Sequence, residues 1–335
     1  MYTSILLFYT KKTMPNKLAK LTIIIPTRPN IENIKWIFKS LDIQTFQDFK
    51  IILLIDSRLT ETEFKKLKIE SLKWIKNINK KINFISNINT DFVPQSWVSY
   101  VRNYGIKLVD TKFINLFDDD EVFKKNYIQK SFDLRNQKRE ELQKDFVLVP
   151  TLMFRKTWQI QSQWFDYYNF WLSRPHALWL NKKQNQKFAE IQMFSWNSLF
   201  GPTKIFQKVL FDEQFDFVYE DLEFTYRLHK SWHPILVTSD LVLYHMERDK
   251  NTLEHARVWS TFAAYRKAKH RVLFVTKNWT TSDKIKFYLF WFLWQPSWLV
   301  FKILFFAKKG DIWPLISSLI KWTIDWLKSK NLEYN

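Results

Sequence analysis

Four consecutive acidic residues, Asp118, Asp119, Asp120 and Glu121, follow a segment over 112–117 whose apolar pattern predicts a buried strand. Carboxylates this close repel one another, so the cluster is costly unless its charge is compensated. A hard divalent cation would relieve the repulsion and could hold a diphosphate. The other interpretation is a helix N-terminus, where acidic residues are favoured by the helix dipole. Taken alone, this segment leaves both interpretations open.

A second acidic pair, Glu220 and Asp221, begins a helical pattern that continues to Arg227. Two adjacent carboxylates, one of which can act as a base toward a hydroxyl, suit a displacement reaction. A solvated helix face is the simpler interpretation of this segment alone.

His245 follows an apolar run over 241–244 and could be a metal ligand, although a histidine at a strand end is more often structural.

Strands and helices alternate through the first half of the chain. Predicted strands lie at 21–26, 50–56, 82–85 and 112–117, and predicted helices at 61–78, 96–109 and after the N-cap residue Asn30. This order predicts an α/β fold with a doubly wound, mostly parallel sheet and helices on both faces. Because ligands bind beyond the carboxyl ends of the strands in such sheets, we expect the polar segments at 26–28, 56–57 and 117–121 to meet at one edge.

The second half is less regular. Predicted strands lie at 146–155, 235–237 and 241–244, predicted helices begin near 202 and 220, and an aromatic-rich segment covers 157–186. The apolar stretch over 287–306 is interrupted by Gln295, Pro296 and Lys302. Because a membrane span needs about 20 uninterrupted apolar residues, we expect an interfacial or re-entrant helix pair there, with a single span as the alternative. The chain thus divides into a leader over 1–19, a domain over 20–275 and C-terminal membrane-associating helices over 276–335.

Composition narrows the possible partners. The 335 residues include no cysteine, so any metal must be held by carboxylates or histidines. Lys and Arg exceed Asp and Glu by 52 − 33 = 19, which favours phosphorylated substrates, an anionic membrane surface or nucleic acid. We expect no nucleic acid partner, because the basic residues are scattered and form no recognised motif. A dinucleotide oxidoreductase is disfavoured because no glycine-rich fingerprint follows Ile25.

The order of these motifs resembles the family 2 glycosyltransferases of the GT-A fold, in particular rhamnosyltransferase-like enzymes of bacterial cell-surface polysaccharides. Each motif is short, but their occurrence in this order is specific, and the resemblance covers about residues 20–275. The matching segments are 22–28, Asp56, 98–106, 117–121, 195–206, 220–228 and 241–245.

The resemblance implies a role for each candidate residue. In the matching positions, the nucleotide sugar would be held by Pro26, Thr27, Arg28, Asp56, Arg102, Asp118 and Asp119. Asp120 would bind Mg²⁺ or Mn²⁺, and His245 would complete the metal site. Asp221 would be the catalytic base that deprotonates an acceptor hydroxyl, with Glu220 as the alternative base.

The implied function is an inverting transfer from a nucleotide-diphosphate sugar to a hydroxyl of a lipid-linked or polysaccharide acceptor. The expected location is the cytoplasmic face of the cell membrane, where the tail would bind the anionic surface. A protein that binds nucleic acid or an anionic surface without catalysis is the alternative.

Two residue counts are unusual. The chain has 3 glycines and 17 tryptophans, whereas glycine makes up about 7% of an ordinary protein, or about 23 residues at this length. Trp97, Trp196 and Trp232 stand where the resemblance places glycine. Our hypothesis is that UGA codons read as glycine by the source organism have been translated as tryptophan. The alternative is a tryptophan-rich protein that associates with membranes.

Overall fold

The structure is a computed structural model, and most of the first 289 residues are described. The described residues are 19–27, 30–55, 59–73, 75–78, 81–85, 98–160, 164–169, 174–177, 187–194, 198–215, 218–246 and 261–289. Arg28, Asp56, Trp97, Trp196 and most of the predicted leader and tail therefore lie outside the described residues. Within the described part, no helix is both long and apolar enough to cross a membrane.

As far as residue 116 the strands and helices follow the predicted alternation, whereas the strand over 121–123 and the helix over 127–142 were not predicted. The strands are β1 (Leu21–Thr27), β2 (Phe49–Ile55), β3 (Ile82–Ile85), β4 (Phe113–Leu116), β5 (Glu121–Phe123), β6 (Val147–Phe154), β7 (Trp164–Asn169), β8 (Arg174–Ala177), β9 (Phe188–Ile191), β10 (Met193–Phe194), β11 (Leu199–Pro202) and β12 (Ile235–His245). The helices are α1 (Ile31–Asp42), α2 (Glu61–Leu72), α3 (Val98–Lys107), α4 (Tyr127–Leu142), α5 (Thr203–Lys208), α6 (Glu220–Lys230) and α7 (Thr261–Asn278).

The central sheet has nine strands in the order β3-β2-β1-β4-β11-β6-β12-β5, with β9 paired to β12. β1 is parallel to β2 and β4, whereas β11 is antiparallel to both β4 and β6. Strands β3, β2, β1, β4, β6 and β12 therefore run in one direction, and β11, β5 and β9 run in the other. This arrangement confirms the predicted mostly parallel sheet. A separate three-stranded sheet has the order β10-β7-β8.

Helices cover both faces of the central sheet, as the doubly wound prediction requires. On one face, Phe38 of α1 and Phe132 of α4 pack with the odd-numbered residues of β1. On the other, Ile106 of α3 and Phe224 of α6 pack around Ile24. Because β1 and β2 are buried on both faces, their sequences are continuous apolar runs rather than alternating ones.

Helix α3 lies unusually close to the sheet because of one glycine. A Cβ added at Gly105 would lie 2.6 Å from Leu54 Cδ1 and 3.0 Å from an Ile24 methyl. The missing side chain lets α3 approach β1 and β2, which fixes the position of Arg102 one turn earlier.

Some element boundaries differ from the sequence prediction. The helix expected over 61–78 ends at Leu72. The two strands expected at 235–237 and 241–244 form the single strand β12, with an irregularity between Thr238 and Val242. Such an irregularity changes the pairing register without ending the strand. The polar residues at this position interrupt the apolar sequence pattern, which is why two strands were predicted.

Candidate active site

The carboxyl ends of β1 and β4 are neighbours, and this brings the first acidic cluster against β1. Thr27 Oγ1 donates a hydrogen bond to Asp119 Oδ2 at 2.5 Å. Asn33 Nδ2, from the first turns of α1, donates to Asp119 Oδ1 at 3.1 Å. Both carboxylate oxygens of Asp119 are therefore engaged, and this residue ties the acidic loop to the sheet. No local sequence pattern marked Asn33 as part of this site.

Glu121 is buried behind the loop and was not among the predicted site residues. Its Oε1 accepts a hydrogen bond from Ser198 Oγ at 2.5 Å, and its Oε2 accepts one from the Asp118 backbone N–H at 3.0 Å. Burial, together with the charges of Asp118 and Asp120, holds the pKa of Glu121 well above its ordinary value. Glu121 begins β5, so the alternative interpretation of this segment as a helix N-terminus is wrong.

Asp120 and His245 lie side by side, as the metal prediction requires. Asp120 Oδ2 is 3.2 Å from His245 Nε2, and Asp120 is 7% exposed. The antiparallel pairing of His245 with Glu121 on β5 positions the histidine, and the Met246 backbone N–H donates to the Asp120 carbonyl at 2.8 Å. The pair is therefore fixed by backbone contacts on both sides.

The donor set fits a hard divalent cation only if the substrate supplies further ligands. Among the described residues, no three His, Asp or Glu side chains are placed to hold a metal. Mg²⁺ is commonly held by one or two carboxylates with substrate phosphates and water completing its shell. Two ligands at about 2.1 Å and at right angles are roughly 3 Å apart, close to the 3.2 Å that separates Asp120 Oδ2 from His245 Nε2. The same distance is that of a hydrogen bond, so the pair is compatible with a shared divalent ion, Mn²⁺ more readily than Mg²⁺ because of the imidazole, and the metal stays a prediction.

Arg102 joins the two acidic clusters. Its guanidinium lies 2.8 Å from Asp221 Oδ1, 3.1 Å from Asp118 Oδ1 and 3.7 Å from Glu220 Oε1. It is 2% exposed, so in this structure it organises carboxylates from α6 and the loop after β4. Its Nε has no hydrogen-bond partner among the described residues, and its contact with the nucleotide stays a prediction.

Three carboxyl groups around one guanidinium would leave a surplus of negative charge in a buried place if all three were ionised. Burial raises the pKa of Asp221 to about 8; Arg102 opposes the rise, and the charges of Glu220 and Asp118 add to it. Burial likewise raises the pKa of Glu220. Burial alone would lower the pKa of Arg102, but the facing carboxylates outweigh it and the net shift is upward. A carboxylate whose pKa lies near neutrality is suited to act as a general base.

The start of α6 is held in a strained conformation. Val218 and Tyr219 both have left-handed backbone angles, with φ of 66° and 76°. From α7, His270 Nδ1 donates to the Val218 carbonyl at 2.7 Å and Arg271 Nε donates to the Tyr219 hydroxyl at 3.2 Å. Strain of this kind persists only where neighbouring contacts impose it, and it is commonest at functional sites.

The acidic pair at the start of α6 is buried rather than solvated. The side chains of Glu220 and Asp221 are 12% and 13% exposed, so the interpretation of this segment as a solvated helix face is wrong. Glu220 Oε2 is buried and accepts no hydrogen bond from the described residues.

The structure thus gathers most of the predicted site. Pro26 is half-buried on β1 beside this edge, and Arg28 and Asp56 lie outside the described residues. The residues brought together at the carboxyl edge are Thr27, Arg102, Asp118, Asp119, Asp120, Glu220, Asp221 and His245. Their individual roles stay predictions.

The fold is shared with solved structures of S. aureus TarS. Residues 1–349 of TarS in complex with UDP-GlcNAc align with a TM-score of 0.56 and 15% identity, over 90% of this chain and 80% of that chain. The same fragment in complex with UDP gives 0.52 and 14%, with the same coverage. A longer TarS chain gives 0.51 and 13% and is covered over 48%, so this chain spans about half its length.

No protein-family model and no curated protein matches the sequence. TarS is a family 2 glycosyltransferase of the GT-A fold. The likeness therefore confirms, at the level of the fold, the resemblance that the order of motifs indicated.

Proposed function

We propose that this protein is an inverting, metal-dependent glycosyltransferase that uses a nucleotide-diphosphate sugar. The observation that carries the proposal is the meeting of the loop after β4, the Glu220–Asp221 pair and His245 at one edge of the sheet. TarS structures with the same fold hold UDP-GlcNAc and UDP, which supports a nucleotide-sugar donor and makes UDP the first nucleotide to test.

The donor would lie across the carboxyl edge. Thr27 and Asn33 hold Asp119 and so fix the loop, and we expect Asp118 of the same loop to face the ribose. Pro26 and Thr27 are placed beside it, and Arg28 and Asp56 complete the predicted nucleotide contacts. We expect Asp120 and His245 to hold Mg²⁺ or Mn²⁺, which when bound neutralises charge on the departing diphosphate.

Asp221 is the group that we propose takes the proton. The acceptor hydroxyl oxygen attacks the anomeric carbon as its proton passes to the Asp221 carboxylate. The bond from that carbon to the diphosphate oxygen breaks, and its electron pair leaves with the nucleoside diphosphate. Because attack is from the face opposite the leaving group, the anomeric configuration inverts. Arg102 orients Asp221 through a 2.8 Å hydrogen bond to Oδ1, which leaves Oδ2 for the acceptor.

We propose a hydroxyl of a lipid-linked or polysaccharide glycan as the acceptor, at the cytoplasmic face of the cell membrane. The net charge of +19 supports attraction to an anionic membrane surface. The apolar segment over 287–306, which would supply the membrane contact, lies almost wholly outside the described residues.

Calorimetric titration with UDP-, dTDP- and GDP-sugars, first with Mn²⁺ and then with EDTA, tests the donor and the metal together. We expect one donor to bind with Mn²⁺ and to lose at least about tenfold in affinity in EDTA, because the diphosphate then meets uncompensated carboxylates. Asp120→Asn should reproduce that loss in the presence of Mn²⁺.

Asp133→Asn is the matched control, since this residue is exposed on α4 and undergoes the same change of side chain. It should bind the donor as the unmodified protein does. Absence of binding by any donor to the folded protein would contradict the proposal and favour the non-catalytic alternative.

A further inference from the structure

A cavity of about 900 Å³ lies at the opposite edge of the sheet from the candidate active site. Its wall includes Lys20 before β1, Lys112 before β4, Thr203 after β11 and Arg135 of α4. These positions are at the amino ends of β1 and β4. Because β1 has seven residues and a strand rises about 3.3 Å per residue, the cavity is roughly 20 Å from Thr27. It is therefore separate from the proposed donor site.

The cavity wall is strongly cationic. It carries five basic side chains, from Lys20, Lys112, Arg135, Arg139 and Lys204, against the two carboxylates of Asp110 and Asp145. Asp110 forms an ion pair with Lys50, which is not part of the wall. By contrast, each ion pair that Asp145 forms with the described residues is with a cation of the cavity wall.

Asp145 is itself shared among three cations. Its carboxylate lies 2.8 Å from Arg135, 3.3 Å from Arg139 and 2.9 Å from Lys204. One negative charge cannot neutralise three positive ones, so the wall keeps a net positive charge that favours an anion.

Two polar groups in the wall are buried and have no hydrogen-bond partner among the described residues: Arg135 Nε and Thr203 Oγ1. Arg135 is 5% exposed and its guanidinium lies over the Phe113 ring, 4.5 Å from its centre. A buried donor without a partner is costly, and a small shift of either side chain toward the cavity would let a bound oxyanion accept its hydrogen bond.

We propose that this cavity is a second binding site, for a phosphate-bearing anion, and that it works without a metal ion. Arg135 and Thr203 form its inner wall, and Arg139, Lys204, Lys20 and Lys112 form its rim. The anion is a phosphate monoester or diester, either free in solution or on a lipid headgroup. The site is independent of the proposed transferase activity.

Binding of inorganic pyrophosphate in the presence of EDTA tests this site, because EDTA removes the cation that the other edge needs. We expect binding that survives EDTA and weakens as salt rises. Arg139→Glu combined with Lys204→Glu should weaken it by at least about tenfold. These side chains are 56% and 76% exposed, so the fold should tolerate the change.

Lys66→Glu combined with Lys68→Glu makes the same charge change on the exposed surface of α2 and should weaken binding by no more than about twofold. No binding in EDTA, or equal losses in the two double variants, would overturn the proposal.

Sedimentation with phosphatidylglycerol vesicles distinguishes a lipid headgroup from a soluble anion as the source of the bound phosphate. Vesicle binding that pyrophosphate competes away indicates a lipid headgroup, and pyrophosphate binding without vesicle binding indicates a soluble anion.

A different observation concerns the tryptophans. In the described part of the chain, five residues other than glycine have left-handed backbone angles: Gln143, Trp158, Val218, Tyr219 and Trp232. A bulky side chain is disfavoured in this conformation, which glycine adopts freely.

Trp232 occupies the position after a helix end where glycine is most common. The His233 N–H donates to the Leu228 carbonyl at 3.2 Å, and the Trp232 N–H donates to the His229 carbonyl at 3.0 Å. These two bonds define a Schellman motif, in which the residue corresponding to Trp232 is left-handed and usually glycine. The φ of Trp232 is 63° and its side chain is 89% exposed, so the indole gains little from packing.

Trp158 closes a tight loop after β6 in the same conformation. The Trp158 N–H donates to the Phe154 carbonyl at 2.9 Å, and the Phe154 N–H donates to the Gln159 carbonyl at 2.9 Å. The φ of Trp158 is 57° and the residue is 63% exposed. The last residue of such a loop is again a position where glycine is favoured.

We infer that residues 158 and 232 are glycines in the native protein, encoded by UGA codons that the source organism reads as glycine. The low glycine count points the same way, because the 3 glycines of this chain are far fewer than the roughly 23 of an average chain of this length.

Mass spectrometry of the protein isolated from its native cells decides the matter. Trypsin should release the peptide over 231–248, and we expect its mass and fragmentation to place glycine at 232. A peptide with tryptophan there overturns the inference.

The recombinant chain gives a physical check. Trp232→Gly should raise Tm by about 2–4 °C, since the strain of a left-handed tryptophan is removed. Trp36→Gly is the control, because Trp36 is inside α1 and glycine there should lower Tm. A fall in Tm for Trp232→Gly would contradict the strain argument.

Discussion

The two edges of the central sheet present opposite arrangements of charge. At the carboxyl edge, three carboxylates face the single guanidinium of Arg102. At the amino edge, three cations face the single carboxylate of Asp145. Arg102 is 3% exposed in its side chain, whereas Arg139 is 56% exposed. We therefore propose that an anion approaches the first edge together with a metal ion and approaches the second directly.

Burial is what makes the two edges behave differently. Inside the protein, a surplus charge changes the pKa of its neighbours and makes each ion pair costly to break. Near the surface, water screens the same surplus, and individual pairs contribute little to stability. Substitutions at the carboxyl edge should consequently have large effects on turnover and stability, and those at the amino edge small ones.

The largest expected effect is on turnover. Asp221→Asn should lower kcat of sugar transfer by about 10²–10⁴-fold, the range that a general base contributes. Arg139→Gln, at the other edge, should leave kcat unchanged. Transfer to an acceptor glycan measured with radiolabelled donor would show this. Retained activity in Asp221→Asn, with loss in Glu220→Gln, would move the role of base to Glu220.

The next effect is on stability. Arg102→Met should lower the free energy of unfolding by about 3–5 kcal/mol, because removing the cation leaves buried carboxylates without compensation. Denaturant unfolding followed by circular dichroism measures the change. A loss below about 1 kcal/mol would show that the carboxyl groups are solvated or take up protons, and the contrast between the two edges would then fail.

A third effect depends on pH. Burial raises the pKa of Asp221 from 3.8 to about 8, so the folded state holds a proton that the unfolded chain releases. The stabilising contribution of this group is full below pH 3.8 and is lost as pH rises through about 8. The ionised form of Asp221, which would act as the base, becomes populated as pH approaches about 8, so kcat/KM should rise with pH up to that value.

Unfolding measured between about pH 5 and 9, in the unmodified protein and in Asp221→Asn, checks this dependence. The part of the pH dependence that Asp221 causes should be absent in the variant. Identical stability curves for the two proteins would mean that Asp221 is ionised throughout.

The smallest effect is expected at the amino edge. Arg139→Gln should change the free energy of unfolding by less than about 1 kcal/mol, because its ion pair with Asp145 is exposed to solvent. The change should shrink further at high ionic strength. A loss comparable to that of Arg102→Met would show that the two edges are equally sensitive.

Much of the fold could be predicted from local pattern. The apolar runs of β1 and β2 and the N-cap of α1 are signals that lie within a few residues, and the structure confirms them. The ends of these elements were predicted less well because tertiary contacts decide them: helix α2 ends at Leu72, and polar residues within β12 interrupted its apolar pattern.

The site was predicted in part. The sequence marked the acidic clusters, since carboxylates in a row are visible without a structure. It could not mark Ser198, whose hydrogen bond to Glu121 joins residues 77 positions apart. Nor could it show that Arg102 pairs with Asp221, 119 positions away. Such contacts depend on which strands become neighbours, and no local pattern records that.

The sequence by itself determined the strand and helix order as far as residue 116, the acidic clusters at strand and helix ends, the positive net charge and the unusual counts of glycine and tryptophan. These are properties of composition or of residues close in the chain. Only the tertiary structure decided that the Arg102 guanidinium pairs with three carboxyl groups, that Glu121 is buried, and that a basic cavity forms at the amino edge of the sheet. Burial and electrostatic interaction act through space, so they are set by the packing of segments that the sequence keeps far apart.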